Sequence, residues 1–165
     1  MTGLRLDLGC GKDKLVGWTG VDLVWHPGVD VVHDLNERPW PFEDESIEEA
    51  RAHHVIEHIP KVQIQLLLGS DQVVTFFPFI DFMDEVHRIL IPGGRFTIWY
   101  PPGGSQGYYQ DPTHCSGHNK NTWLYFDPMV QDGFFFRIYK PKPWKIVTMD
   151  TDELGNDVIV LEKTE

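Results

Sequence analysis

Short apolar runs alternate with polar, turn-forming segments along most of the chain. Runs rich in aliphatic and β-branched side chains and bounded by turn residues predict strands. Such runs come before residue 100 at 4–8, 19–23, 29–34, 49–53 and 95–99. Two more, 145–151 and 157–163, are joined by the turn residues Leu154-Gly155-Asn156. The last two runs therefore predict a closing pair of strands.

One segment has a clear helical period. Apolar residues between Phe79 and Leu90 recur every three or four positions, which predicts an amphipathic helix. Pro92-Gly93-Gly94 predicts where the helix stops. Strands that alternate with helical and turn segments are typical of an α/β sheet. The pattern therefore predicts an α/β fold.

Two stretches lack a clear period. Residues 100–121 are rich in Pro, Gly, His and Tyr, and an irregular loop of that length is usually functional. A short helix is predicted after it, over 122–130. Residues 61–77 carry apolar pieces on both sides of Gly69 and are compatible with a helix followed by a strand-like piece. An interface or a lid is open for this segment, and the apolar stretch from Leu66 to Phe79 within and after it is interpreted as buried core, with a partner surface as the alternative.

Length and composition indicate one globular domain over residues 1–165, of which 41% are hydrophobic. No apolar run approaches the roughly 20 residues that cross a membrane. The chain opens on a strand rather than on a basic leader. These features predict a cytoplasmic protein without a membrane segment, and Cys10 and Cys115 are therefore interpreted as free thiols.

The charge is acidic, with 25 Asp and Glu against 14 Lys and Arg and a formal net charge of −11. A surface that follows a phosphate backbone needs clustered Lys and Arg. The longest basic cluster, 140–145, is short. Nucleic acid is therefore disfavoured as a partner, and a homo-oligomer stays open.

Acidic residues or glycines lie at the ends of the first three predicted strands. Asp7-Leu8-Gly9-Cys10-Gly11 closes the first, Asp22 the second and Asp34 the third. In a parallel sheet these ends share one edge, where nucleotide ligands bind. Each of these three motifs, taken alone, is also typical of a turn or a helix cap. A nicotinamide oxidoreductase is disfavoured, because the Gly-x-Gly-x-x-Gly spacing is missing.

Five motifs in order resemble those of the class I S-adenosylmethionine-dependent methyltransferases. They are Leu6–Gly11, Gly20–Leu23, His33–Leu35 with the following Pro39–Ser46, His54–Ile59, and Glu85–Gly94. The resemblance covers Leu4 to Trp99 well and the remainder loosely. It implies a single Rossmann-like domain, with a mostly parallel seven-stranded sheet whose last strand is antiparallel. It also implies methyl transfer from bound S-adenosylmethionine.

The resemblance assigns a role to each cofactor-side residue. It places Asp22 and Leu23 at the ribose, Asp34 and Leu35 at the adenine, and His54 close to the methionine end. The residues that would shape the pocket near the methionine are Asp7, Gly9 and Gly11. Three features depart from the family pattern: Asp13 stands where a third glycine is common, the first helix, over 12–17, is very short, and the segment 61–77 has no clear counterpart in the family.

The acceptor side is expected in the loop after the fifth strand, at Asp111-Pro112-Thr113-His114. An imidazole suits a general base at neutral pH, so His114 is the candidate base and Asp111 the residue that orients it. Both are equally well interpreted as loop hydrogen-bonding residues. Aromatic side chains would form an acceptor wall or pack the loop, at Tyr108, Tyr109 and Trp123. The acidic charge favours a small molecule or a glycan as acceptor.

Two alternatives to a methyltransferase stay open. His54-Val55-Ile56-Glu57-His58 matches the H-x-x-E-H pattern of one zinc protease group, in which both histidines share a helix face. No third ligand is evident from the sequence, and no metal site is predicted. The chain is also compatible with a non-catalytic, nucleotide-binding scaffold subunit.

Overall fold

A computed structural model describes residues 3–67, 69, 71–130 and 140–164. The strands are β1 (Leu4–Leu8), β2 (Thr19–Asp22), β3 (Val31–Val32), β4 (Ile47–His53), β5 (Gln63–Leu66), β6 (Val73–Phe76), β7 (Leu90–Tyr100), β8 (Trp144–Thr151) and β9 (Asp157–Lys163). The helices are α1 (Pro78–Ile89), α2 (Gln106–Tyr109) and α3 (Lys120–Trp123), with a 3-10 turn at Ile56–His58.

Seven strands form one sheet in the order β3-β2-β1-β4-β7-β9-β8. Neighbours from β3 to β7 pair in parallel, and β9 pairs antiparallel with both β7 and β8. The last strand therefore runs against all the others. The predicted mostly parallel, seven-stranded α/β sheet with an antiparallel last strand is confirmed.

The helix α1 covers one face of this sheet with its apolar side. Phe82 is fully buried and lies 5.4 Å from Trp40 and 6.2 Å from Phe96, measured between ring centroids. Pro78 begins the helix, as suits a residue that has no amide hydrogen to satisfy in the first turn. The helix ends at Ile89, and β7 starts directly at Leu90. The predicted Pro-Gly-Gly stop therefore lies just inside the strand.

The opposite face of the sheet is only half covered. Along β4 and β7, residues that point toward α1 are buried, whereas the alternate residues Arg51, Thr97 and Trp99 are partly exposed. Among the described residues, no helix forms between β1 and β2, between β2 and β3, or between β3 and β4. The short first helix predicted over 12–17 is wrong: this segment is a series of turns, with Gly17 at a φ of 82°.

The segment 61–77 forms an antiparallel hairpin of β5 and β6, so the predicted helix-then-strand is wrong. The hairpin exposes Ile64, Leu66 and Val73, and the interpretation as buried core is also wrong. Alternation of Gln and aliphatic residues from 63 to 66 is the period-two signal that indicates a strand. The helix predicted over 122–130 is instead α3, four residues that start two positions earlier.

Both cysteines are free thiols, as predicted. Cys10 is buried at the end of β1, and burial together with the nearby carboxylates of Asp22 and Asp7 raises the pKa of its thiol to about 11. Cys115 is exposed. In the described parts of the chain, no helix has the length and apolar character needed to span a membrane.

Candidate functional site

A cleft of about 220 Å³ opens at the carboxyl ends of the parallel strands β3, β2, β1 and β4. Its lining consists of Gly9, Asp22, Leu23, His33, Asp34, Leu35, Asn36, His54, Val55, His58 and Ile59. Six of the eight predicted cofactor residues are in this set, and the two outside it are Asp7 and Gly11. The sheet therefore brings together side chains that are far apart in sequence.

The turn after β1 brings the backbone close to the cleft. Gly9 and Gly11 have φ values of 62° and 53°, in the left-handed region that favours glycine. A Cβ added at Gly9 would lie 2.5 Å from Cγ2 of Val55, a cleft residue, whereas one added at Gly11 meets no described atom within 4 Å. Gly9 is therefore required both by its conformation and by close approach.

The two glycines allow a matched test. We expect Gly11→Ala to lower the free energy of unfolding by about 1 kcal/mol, the cost of left-handed backbone. Gly9→Ala is expected to cost about 2–4 kcal/mol, because about 1–3 kcal/mol of overpacking against Val55 is added. Urea unfolding of both variants measures the difference. Equal losses would show that Val55 yields freely and that close approach does not explain Gly9.

Asp7 does not line the cleft, and its carboxylate instead stabilises the turn after β1. Its carboxylate is almost fully buried and accepts two hydrogen bonds from Arg51, at 2.8 and 2.9 Å, and one from the Leu15 amide at 3.1 Å. A buried carboxylate needs such partners to offset the loss of water. The structure therefore gives Asp7 a shaping role, and Arg51 is the partner that the sequence did not reveal.

Asp22 ends β2 with its carboxylate at the rim of the cleft. Its Oδ2 atom accepts a hydrogen bond from the Gly11 amide at 2.9 Å, and its Oδ1 atom accepts one from the Val24 amide at 3.2 Å. Gly11 is thus tied to the cleft through Asp22, although it does not line it. Each carboxylate oxygen retains lone-pair capacity toward the cleft.

The segment after β3 supplies the next wall. Asp34 accepts hydrogen bonds from the backbone and side-chain amides of Asn36 through Oδ1, at 2.9 and 3.0 Å. Leu35 is buried, and its carbonyl accepts a hydrogen bond from the Trp40 indole at 3.3 Å. This arrangement presents one acidic and one apolar side chain to the same end of the cleft.

His54 stands where β4 leaves the sheet, with a φ of 57°. Its Nδ1 atom lies 3.1 Å from Oε1 of Glu57, and this hydrogen bond raises the pKa of His54 above its usual value. His54 precedes the 3-10 turn Ile56–His58 and does not belong to it. The expectation that His54 and His58 share one helix face is therefore wrong.

The loop after β7 is pinned to this same turn. The amides of Cys115 and Ser116 both donate to the carbonyl of Glu57, at 2.9 and 3.0 Å. The neighbouring His114 side chain is only 7% exposed, and its ring lies 4.8 Å from that of His58. The loop thus delivers a histidine from far along the chain to the rim of the cleft.

Asp111 does not orient His114 in the predicted way. Nδ1 of His114 donates to the Tyr108 carbonyl at 2.7 Å, while Nε2 lies 3.9 Å from Oδ2 of Asp111 and 3.9 Å from Oε1 of Glu57. A separation of 3.9 Å is too long for a hydrogen bond. Oδ1 of Asp111 instead accepts hydrogen bonds from Thr113, and these lower the pKa of the Asp111 carboxyl.

The predicted aromatic wall divides into separate parts. Trp123 is fully buried and donates its indole hydrogen to the Tyr100 hydroxyl at 2.8 Å, so it packs the core. Tyr108 lies against His114, with ring centroids 5.5 Å apart, and Tyr109 is mostly exposed. Only the two tyrosines remain available to an acceptor.

A larger cavity, of about 610 Å³, shares no lining residue with the cleft. Its walls are mostly apolar and come from the start of α1, with Phe79 and Ile80, and from α3 and the residues that follow it, with Leu124. The titratable residues predicted to carry chemistry are absent from its lining. The smaller cleft is therefore the better candidate site.

Five residues that line the cleft were not among the predicted site residues: His33, Asn36, Val55, His58 and Ile59. The proximity of Glu57 to His114 was not predicted either. The position of Asn36 could have been predicted from the sequence, because an Asn two residues after an Asp is typical of a turn held by a side-chain hydrogen bond. No feature of the sequence indicated that Glu57 lies near His114, because this contact depends on how the loop after β7 folds back.

The fold is that of the class I S-adenosylmethionine-dependent methyltransferases. A structure of a Burkholderia thailandensis 1,6-didemethyltoxoflavin-N1-methyltransferase, with its substrate and S-adenosylhomocysteine bound, aligns with a TM-score of 0.62 and 16% identity over 99% of this chain and 72% of that one. A SAM-dependent methyltransferase from Archaeoglobus fulgidus aligns with a TM-score of 0.61 and 16% identity over 98% and 87%.

The same fold also serves other chemistry. The [4+2]-cyclase SpnF aligns with a TM-score of 0.56 and 13% identity, over 98% of this chain and 75% of that one. No protein-family model matches the chain, and no curated protein matches it by sequence. The likeness to solved structures therefore defines the fold.

Proposed function

We propose that this chain binds S-adenosylmethionine in the 220 Å³ cleft and transfers its methyl group to a small-molecule or glycan acceptor beside His114. The observation that carries the proposal is the ordered placement of Gly9, Asp22, Asp34 and His54 around one cleft at the carboxyl edge of the sheet. Ligands of open α/β sheets bind at that edge. The single-domain organisation over 1–165, with 100–121 on the acceptor side, is part of the same proposal.

The side chains of the cleft suit each part of this cofactor. The Asp22 carboxylate, with Leu23 beside it, accepts hydrogen bonds from the ribose hydroxyls. Leu35 packs on the adenine and Asp34 accepts from its amino group, while Gly9 lets the chain approach the methionine part near His54. Because well-formed ligand pockets usually span about 300–1,000 Å³, the cleft of about 220 Å³ encloses only part of the cofactor.

The bound cofactor supplies a methyl group already activated by its sulfonium charge, so the protein mainly aligns the acceptor. The Nδ1 hydrogen bond to Tyr108 leaves the lone pair of His114 on Nε2. That nitrogen takes the acceptor's proton as the new bond to the methyl carbon forms and the carbon–sulfur bond breaks. The carboxylates of Glu57 and Asp111, each 3.9 Å away, favour the imidazolium that results.

The charge of the chain guides the choice of acceptor. With a formal charge of −11, a polyanion would meet repulsion over most of the surface. A neutral or cationic small molecule, or a glycan, meets none. The toxoflavin precursor methylated by the B. thailandensis neighbour shows that this fold accommodates a small molecule.

Calorimetric titration with S-adenosylmethionine and S-adenosylhomocysteine tests the cofactor, and release of S-adenosylhomocysteine in the presence of candidate hydroxyl and amine acceptors tests the transfer. We expect micromolar binding of both ligands. With an active acceptor, His114→Ala should lower kcat about 100-fold or more, the usual contribution of a general base, and leave cofactor affinity unchanged. His53→Ala is the matched control. Failure to bind either ligand would overturn the proposal, and unchanged kcat would remove His114 from it.

A further inference from the structure

Three side chains beside the cleft have the arrangement of metal ligands. One ligand atom from each of Glu57, His58 and His114 lies within 4.8 Å of the other two. Glu57 and His58 come from the 3-10 turn after β4, and His114 comes from the loop after β7. The loop is fastened to the turn by the two hydrogen bonds from Cys115 and Ser116 to the Glu57 carbonyl. The cluster is therefore held by backbone contacts on both sides.

Both imidazoles have one nitrogen engaged and the other left with its lone pair. Nδ1 of His114 donates to the Tyr108 carbonyl. The Thr113 hydroxyl donates its only hydrogen to Asp111 at 2.7 Å, so it must accept the 3.2 Å hydrogen bond from Nδ1 of His58. Each ring is thus held as the tautomer with a free Nε2. A hydrogen bond on the second nitrogen is the usual support of a metal-binding histidine.

Glu57 carries an unsatisfied atom at the same place. The side chain is almost fully buried, and Oε1 takes the hydrogen bond from His54. Oε2 is buried and has no hydrogen-bond partner among the residues that the structure describes. A buried carboxylate oxygen without a partner is unfavourable, and a cation bound by both carboxylate oxygens of Glu57 would satisfy it.

We propose that Glu57, His58 and His114 bind a divalent transition-metal ion. Two imidazoles and one carboxylate suit zinc and the neighbouring transition metals, whereas magnesium prefers a set of oxygens. Two ligands of a tetrahedral ion lie about 3.4 Å apart when each is 2.0–2.1 Å from it. The distance of 3.9 Å between Glu57 Oε1 and His114 Nε2 is close to that value, and the wider separations in the cluster, up to 4.8 Å, must close by rotation of the side chains when the ion binds.

His58 also lines the cofactor cleft, so a position left open on the ion would face the place proposed for the acceptor. There the ion would polarise an acceptor oxygen and ease loss of its proton. Nε2 of His114 cannot bind an ion and accept a proton at once, so the bound ion would replace His114 as the activating group. Binding of the ion itself does not depend on the cofactor and is measured without it.

The test is calorimetric titration of the chelator-treated full chain with Zn²⁺, and with Mg²⁺ in parallel, with metal content measured after desalting. We expect one equivalent of zinc bound with a Kd below about 1 μM and little binding of magnesium. His58→Ala and Glu57→Gln should each weaken zinc binding at least about 100-fold. His53→Ala, which removes an imidazole outside the cluster, should leave it unchanged.

Cobalt provides a readout that reports the ligands directly. Co²⁺ bound by the wild type should give visible absorption bands that are lost in His58→Ala, whose partly exposed side chain can change without harm to folding. Circular dichroism checks the fold of each variant. Absence of zinc and cobalt binding by the folded wild type would overturn the proposal, as would equal losses in His53→Ala and His58→Ala. Either result leaves S-adenosylmethionine binding, titrated separately in chelator, unaffected.

Discussion

Asp22→Ala is expected to weaken S-adenosylmethionine binding about 100-fold or more. Hydrogen bonds to a charged group contribute about 1.5–3 kcal/mol each, and the Asp22 carboxylate is placed to accept two from the ribose. Each 1.4 kcal/mol is a factor of ten in affinity. The substitution also releases the Gly11 amide, whose 2.9 Å hydrogen bond to Asp22 holds the turn after β1. Both effects act in the same direction.

Isothermal titration of the variant with S-adenosylmethionine measures the loss. Glu37→Ala is the matched control, because it removes one exposed carboxylate near the same edge of the sheet and keeps the backbone groups through which residue 37 contacts the cleft residues His33 and Asp34. Asp22→Asn, which keeps one carbonyl oxygen, should give an intermediate affinity. If Asp22→Ala binds within about threefold of the wild type, the ribose is held elsewhere and the assignment of the cleft is wrong.

Lowering the pH from 7.5 to 5 is expected to cost the folded state about 4 kcal/mol, through two buried histidines. Burial, with the nearby Lys163 and Lys142 charges, lowers the pKa of His87 to about 4. Burial and the Lys61 charge lower the pKa of His118 to about 3. In the unfolded chain both imidazoles titrate near 6.5.

The direction follows from which state binds the proton. Between pH 6.5 and about 4 these two histidines bind protons in the unfolded chain but not in the folded chain. Their contribution to the free energy of unfolding is therefore fully present above pH 6.5 and is lost as the pH is lowered. At pH 5 each histidine contributes a loss of about 2 kcal/mol, since its unfolded form is mostly charged and its folded form is neutral. Hydrogen bonds to the Pro143 carbonyl and to the Ser116 hydroxyl position the rings of His87 and His118.

Urea unfolding of the wild type and of His87→Asn at several pH values isolates one of these contributions. The stability difference between the two proteins should be constant above pH 7.5 and shrink by about 2 kcal/mol at pH 5. His118→Asn should behave in the same way. A difference that stays constant down to pH 5 would show that the His87 ring is charged in the folded state and that its pKa is not lowered by burial.

The sheet was predictable because local pattern and tertiary environment agree there. β1 and β9 have the predicted bounds, and α1 differs from its prediction by one residue at each end. The sequence pattern gave a wrong prediction where apolar residues have no core surface to pack against. The hairpin of β5 and β6 exposes apolar residues that the sequence indicated as core. β3 shortens to two residues, because it pairs at the edge of the sheet on one side only.

The sequence by itself determined the strand ends that form the cleft. Asp22 ends β2, while Gly9 and Asp34 lie one and two residues after β1 and β3. A parallel sheet places such strand ends side by side whatever the intervening loops do. Cofactor-side residues could therefore be named by position.

Only the tertiary structure decided the acceptor side. His114 reaches Glu57 and His58 because the loop after β7 folds back and donates two amides to the Glu57 carbonyl. Contacts between residues more than fifty positions apart in the chain leave no periodic trace in the sequence. For the same reason Tyr108, not Asp111, holds the His114 ring, and Arg51 pairs with Asp7 from a neighbouring strand. The local sequence pattern predicts which residues lie at the edge of the sheet. Tertiary packing determines which other side chains contact those residues.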